Sequence, residues 1–106
     1  MKLGIILNTK DTETAWNALR LGNEALGQGN ETTMFLLGSG VEIENIQSET
    51  FNVTQVLQKF LSSGGNLLAC GTCLKSRNQK ANVCSISTMP ELVKMISESD
   101  KVVSLG

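Results

Sequence analysis

Cys70-Gly71-Thr72-Cys73 sets two thiols three residues apart across a glycine, with Lys75 and Arg77 close behind. A thiolate attacks a disulfide or a sulfane sulfur without help from a general base, so such a pair suits sulfur-transfer or thiol–disulfide chemistry. The chain has no histidine. That absence excludes Ser-His-Asp and Cys-His nucleophilic machinery, His-ligated zinc and non-haem iron sites. Cys70 is the expected sulfur-accepting nucleophile, and Cys73 is placed to resolve it or to stand by. Gly71 and Thr72 would open the following helix, whose free N–H groups, with Lys75 and Arg77, would favour a thiolate and lower its pKa. The third thiol, Cys84, lies in an apolar stretch and reads as core. Zinc or an iron–sulfur cluster wants four ligands, and three thiols without histidine fall short, so neither metal nor cofactor is expected unless subunits share a site.

Three cysteines also make a poor disulfide framework, and free thiols imply a reducing compartment. The run Leu3-Gly4-Ile5-Ile6-Leu7 is too short for a signal-peptide core, and nowhere do about 18 apolar residues follow one another, so the expectation is a cytoplasmic protein with no membrane partner. Nine basic residues balance ten acidic ones, with no cationic stripe to follow a phosphate backbone, so nucleic acid is not an expected partner. Two glycosylation sequons, at Asn30 and Asn52, read as chance matches in such a protein. With 41% apolar and 18% charged residues, 106 residues suffice for one hydrophobic core, which sets a single domain over 1–106.

The elements that must hold the cysteines follow from the pattern. Leu3 to Leu7 reads as a strand buried on both faces. A helix from about Thr12 to Leu26 is capped by Asp11 and stopped by Gly27 and Gly29, with Trp16 expected in its core face. A second strand, Thr32 to Leu37, ends in Gly38-Ser39-Gly40, a tight turn rather than a phosphate loop because Ile43 stands where a dinucleotide fingerprint needs glycine. A short helical or irregular stretch should follow around Val41 to Gln47. Val53, Val56, Leu57, Phe60 and Leu61 mark one helical face that Gly64-Gly65 closes. Asn66 to Cys70 is a short strand leading directly into the helix-compatible Cys73 to Arg77, so the cysteine motif sits at a strand-to-helix turn. Val83 to Ile86 is a candidate fourth strand. Thr88-Met89-Pro90-Glu91 is a capping box opening a helix whose apolar side is Leu92, Val93, Met95 and Ile96, and Lys101 to Leu105 closes the chain as a strand. Strands alternating with helices imply an α/β fold with about five mostly parallel strands and helices on both faces, ligands lying at the strands' carboxyl ends.

The segment Leu68 to Arg77 resembles the cysteine turn of the small DsrE/DsrF-like sulfur-relay proteins, which include the Tus-type carriers of tRNA thiolation. Met89-Pro90-Glu91-Leu92-Val93 through Asp100-Lys101-Val102-Val103 is similar to that family's closing helix and strand, and Gly38-Ser39-Gly40-Val41 to its turn after strand two. The CGTC form also resembles the DsrE-like domain of proteins linked to selenium metabolism. The resemblance implies a flavodoxin-like layering, a persulfide carried on Cys70, donor and acceptor proteins as partners, and homo-oligomers, either trimers or hexamers. It covers most of the chain, but only the cysteine turn is specific. Two other functions fit the residues: a thioredoxin-like dithiol oxidoreductase using the CxxC, and a non-catalytic oligomeric binding subunit whose thiols only pack. Against the first, the motif starts late in the chain and Pro90 opens a helix rather than facing the dithiol.

Overall fold

The computed structural model describes residues 1–106. The chain runs β1 (Lys2–Leu7), α1 (Thr12–Gly27), β2 (Glu31–Leu36), a 3₁₀ segment (Gly38–Asn45), α2 (Val53–Ser62), β3 (Asn66–Cys70), α3 (Gly71–Ser76), β4 (Ser85–Ser87), α4 (Met89–Glu98) and β5 (Lys101–Leu105). The strands form one sheet in the order β4-β3-β2-β1-β5. Every pairing is parallel. The chain therefore steps outward from β1 to β4 and then crosses back to lay β5 on the far side of β1.

The central strand explains the unbroken apolar runs. Met34, Phe35 and Leu36 of β2 are all fully buried, because neighbouring residues of a strand face opposite sides and both sides here are covered. Met34 and Leu36 join Ile5 and Leu7 of β1 beneath Ala15, Ala18 and Leu19 of α1 and Leu57 and Phe60 of α2. Phe35 joins Leu92 and Met95 of α4 on the other face. Gly22 lets α1 approach the sheet, since a Cβ there would meet the Phe60 ring at 2.7 Å and Ile5 at 3.5 Å.

Side chains cap three of the helices, at Asp11 and Thr88 as the sequence pattern implies and at Asn52 in addition. Asp11 accepts the Thr14 N–H at 3.0 Å, Asn52 that of Gln55 at 3.0 Å, and Thr88 that of Glu91 at 3.4 Å, with Pro90 in the first turn of α4. Three expectations are revised. The fourth strand starts at Ser85 rather than Val83, because the N–H groups of Asn82 and Val83 turn to the Glu44 carboxylate at 3.4 Å instead of to β3. On α4 only Leu92 and Met95 reach the sheet, whereas Val93 and Ile96 stay 64% and 44% exposed. Trp16 is half-buried at the rim, against the Phe51 ring at 5.1 Å and under the Arg20 guanidinium at 4.3 Å, a cation–π pair one helical turn apart.

Candidate functional site

The last residue of β3 is Cys70, and the same residue is the N-cap of α3. Its backbone is extended, so the chain passes from strand to helix with no intervening loop. Its Sγ takes the place an N-cap oxygen usually holds and accepts the Cys73 N–H at 3.4 Å. The side chain lies on the α4 face of the sheet, packed with Phe35, Leu92 and Met95, and is 3% exposed.

Cys73, one turn further on, is more open. It packs against both apolar clusters at the carboxyl rim of the sheet, and its Sγ accepts the Gly38 N–H at 3.3 Å. Gly38 sits in the left-handed region, with φ of 53°, and a Cβ there would press on the Asn8 side chain at 2.6 Å. The turn that reads in sequence as connection alone thus supplies a donor to the site. A glycine pair after a strand is the one signal of it, and it does not say that the amide points at sulfur.

The surroundings drive the two thiols apart. Burial alone would raise the Cys70 pKa, but hydrogen bonds from the Cys73 N–H, the Cys73 thiol and the Thr72 N–H outweigh it and bring it below that of an ordinary thiol. Burial raises the Cys73 pKa, and the neighbouring Cys70 sulfur adds to this, while the Gly38 N–H and the Arg77 charge oppose it. Of the two, Cys70 is the thiol that ionises first as the pH rises, and Cys73 the one that keeps its proton longer.

The remaining motif residues divide by distance. Thr72 contributes its backbone, and Gly71 lets the turn lie against β4, since a Cβ there would be 3.2 Å from Ile86 and 3.4 Å from the Ser87 carbonyl oxygen. Arg77 donates to the Cys73 carbonyl at 3.3 Å and pairs with Glu42 at 3.6 Å, and Lys10 approaches the same carboxylate at 3.7 Å. Its charge therefore acts on Cys73 rather than Cys70, and Glu42 offsets part of it. Lys75 is exposed and lines a shallow groove with Gly71, Leu74 and Ile86.

Cys84 stands apart, buried in the α1–α2 face of the core. Its thiol approaches Glu44 Oε2 at 3.9 Å, and burial followed by the Glu44 charge pushes its pKa up. No three of the cysteine and carboxylate side chains gather as metal ligands. Glu44 ties the segment before β4 to the 3₁₀ segment through two backbone N–H groups. Glu44→Ala is expected to cost about 1 kcal/mol, the usual worth of such hydrogen bonds, and to speed alkylation of Cys84. Chemical denaturation and labelling kinetics check both.

Comparison with known proteins bears on the family and the fold. The family model described as the DsrE/DsrF-like family matches residues 1–105. The chain is 34% identical over 99 residues to the uncharacterized protein MJ0989 of Methanocaldococcus jannaschii, covering 87% of each. It is 32% identical over 99 residues to the uncharacterized protein MK0008 of Methanopyrus kandleri, covering 86% of this chain and 81% of that one. A solved structure of a conserved protein of unknown function, BT1422 from Bacteroides thetaiotaomicron, superposes with a TM-score of 0.79 at 20% identity, over 97% of this chain and 93% of that chain, which shows a shared fold. No helix is long and apolar enough to cross a membrane.

Proposed function

The chain belongs to the DsrE/DsrF-like family, and from that membership together with the cysteine turn we propose that it is a sulfur-relay protein carrying sulfane sulfur as a persulfide on Cys70. The observation that supports this most is the hydrogen bonding at the Cys70 sulfur, which favours a thiolate in a chain that has no histidine to act as base. The thiolate attacks the outer sulfur of a donor persulfide. The donor's S–S bond breaks, its thiolate leaves, and Cys70 keeps the sulfur until an acceptor thiol removes it.

Burial of Cys70 sets a condition on this exchange. Helix α3 is six residues long and buries only Leu74, so the turn above the sulfur is the kind of element that opens locally at small cost. Donor and acceptor proteins would meet the sulfur in that open state, in the cytoplasm. Assembly into a homo-oligomer is supported by apolar side chains left uncovered beside the turn, among them Ile86 at 70% and Met89 at 52% exposure.

The test is to incubate the reduced protein with a low-molecular-weight persulfide and locate the added sulfur by peptide mass spectrometry. Sulfur taken up at the Cys70 peptide is expected, counted as sulfur bound there plus any later released as sulfide. No sulfur bound to any cysteine and no sulfide released would end the relay reading and leave the thiols as packing groups of a binding subunit.

A further inference from the structure

We infer that Cys73 resolves the sulfur-loaded Cys70, so that without a docked acceptor the site discharges its sulfur as free sulfide and closes a Cys70–Cys73 disulfide. This rests on the persulfide reading above and adds a second product and a reductant requirement to it.

Three features of the turn carry the inference. The first turn of α3 brings the Cys73 backbone nitrogen to 3.4 Å from Cys70 Sγ, and the Cys73 side chain packs into the same apolar cluster as Cys70. Cys70 is 3% exposed, so an acceptor from outside must open the turn before it can reach the sulfur, whereas Cys73 is already beside it. A positioned internal group reacts as though present at very high concentration, an advantage no unbound acceptor has. Finally, the Gly38 N–H held 3.3 Å from Cys73 Sγ stabilises negative charge there as the thiol gives up its proton.

The step balances without an outside base. Cys73 sulfur attacks Cys70 Sγ, the Sγ–S bond to the outer sulfur breaks, and that sulfur leaves with the electron pair. The proton of the Cys73 thiol goes to the departing sulfur, so a persulfide anion and a thiol become a disulfide and hydrosulfide. The outer sulfur is reduced and the two cysteine sulfurs are oxidised. An external dithiol reductant must then reopen the disulfide before the next cycle, and a docked acceptor diverts the same persulfide into transfer by reaching it first.

The experiment treats reduced protein, freed of reductant, with one equivalent of glutathione persulfide and follows intact mass and trapped sulfide together. Wild type is expected to end two hydrogens lighter, with trapped sulfide matching the disulfide formed. Cys73→Ser and Cys73→Ala are expected to stay heavier by one sulfur atom, with sulfide release at least tenfold lower. Wild type and both variants holding the extra sulfur equally, with no disulfide, would overturn the inference while leaving the relay reading standing. Failure of every form to gain sulfur on Cys70 would instead remove the relay reading, and this inference with it.

Discussion

Cys70→Ser is expected to lose sulfane-sulfur uptake down to the level of a protein-free control while remaining folded. The loss follows from the nucleophile itself, since a serine hydroxyl does not ionise near neutral pH and cannot form a persulfide. Retention of the fold follows from the second job of Cys70, as N-cap of α3. Serine is a preferred N-cap and can accept the Cys73 N–H more strongly than sulfur does, which offsets the cost of a hydroxyl beside Phe35, Leu92 and Met95. The net change in stability is expected within about 1 kcal/mol. Sulfur taken up per chain, as bound sulfur by mass spectrometry plus trapped sulfide, and the thermal midpoint are the two readouts. Normal uptake by this variant, with the sulfur on Cys73, would reverse the roles assigned to the two thiols.

The largest structural effect is expected at Gly40. A Cβ there would fall far inside contact distance of the Leu7 carbonyl oxygen, with the Leu7 carbonyl carbon at 3.1 Å and the Thr9 nitrogen at 3.4 Å. These are backbone atoms, and the Leu7 oxygen is already engaged by the Leu37 N–H at 2.9 Å, so no side chain can swing aside. Gly40→Ala must push the 3₁₀ segment off the end of β1, at about 3 kcal/mol or more. That is a large part of the 5–15 kcal/mol, roughly, that holds a domain of this kind. A fall in the urea midpoint of at least about 1 M is expected. Gly27→Ala is the matched control, because nothing lies within 4 Å of a Cβ at that site. Equal midpoints for Gly40→Ala and wild type would contradict the contact.

The fold was largely legible because its signals are local. Asp11 and Thr88 mark helix starts by their chemistry, the Ile- and Leu-rich run of β1 announces a strand covered on both faces, and the β-branched and apolar run of β2 announces another strand. The cysteine turn was legible for the same reason, since Cys70, Gly71, Thr72 and Cys73 are consecutive in one strand–helix junction. What stayed hidden depends on contacts distant in sequence. The Gly38 amide meets Cys73 across 35 positions, and Glu44 meets the segment before β4 across 38 and 39. No periodicity records such pairs. The apolar spacing of α4 also overstates what is buried, because helical period identifies one stripe without showing how wide a stripe the sheet covers. Val93 and Ile96 are the residues left out. The role of Arg77 was hidden too, since only the folded chain reveals that Glu42 holds it beside Cys73.

The claim on which the rest depends is that the fold makes Cys70, and not Cys73, the thiolate. The pH dependence of alkylation at each cysteine of the reduced protein, read peptide by peptide, tests it directly. The midpoint of each profile reports ionisation, while the plateau rate reports access, so the poor access to Cys70 slows its plateau and the midpoint still reads its pKa. A thiol with a lowered pKa is ionised and reactive at lower pH, and one with a raised pKa reacts only as the pH climbs past the ordinary value. The Cys70 midpoint is expected below that of an ordinary free thiol, with those of Cys73 and Cys84 above it. A Cys70 midpoint at or above that of Cys73 would contradict the account.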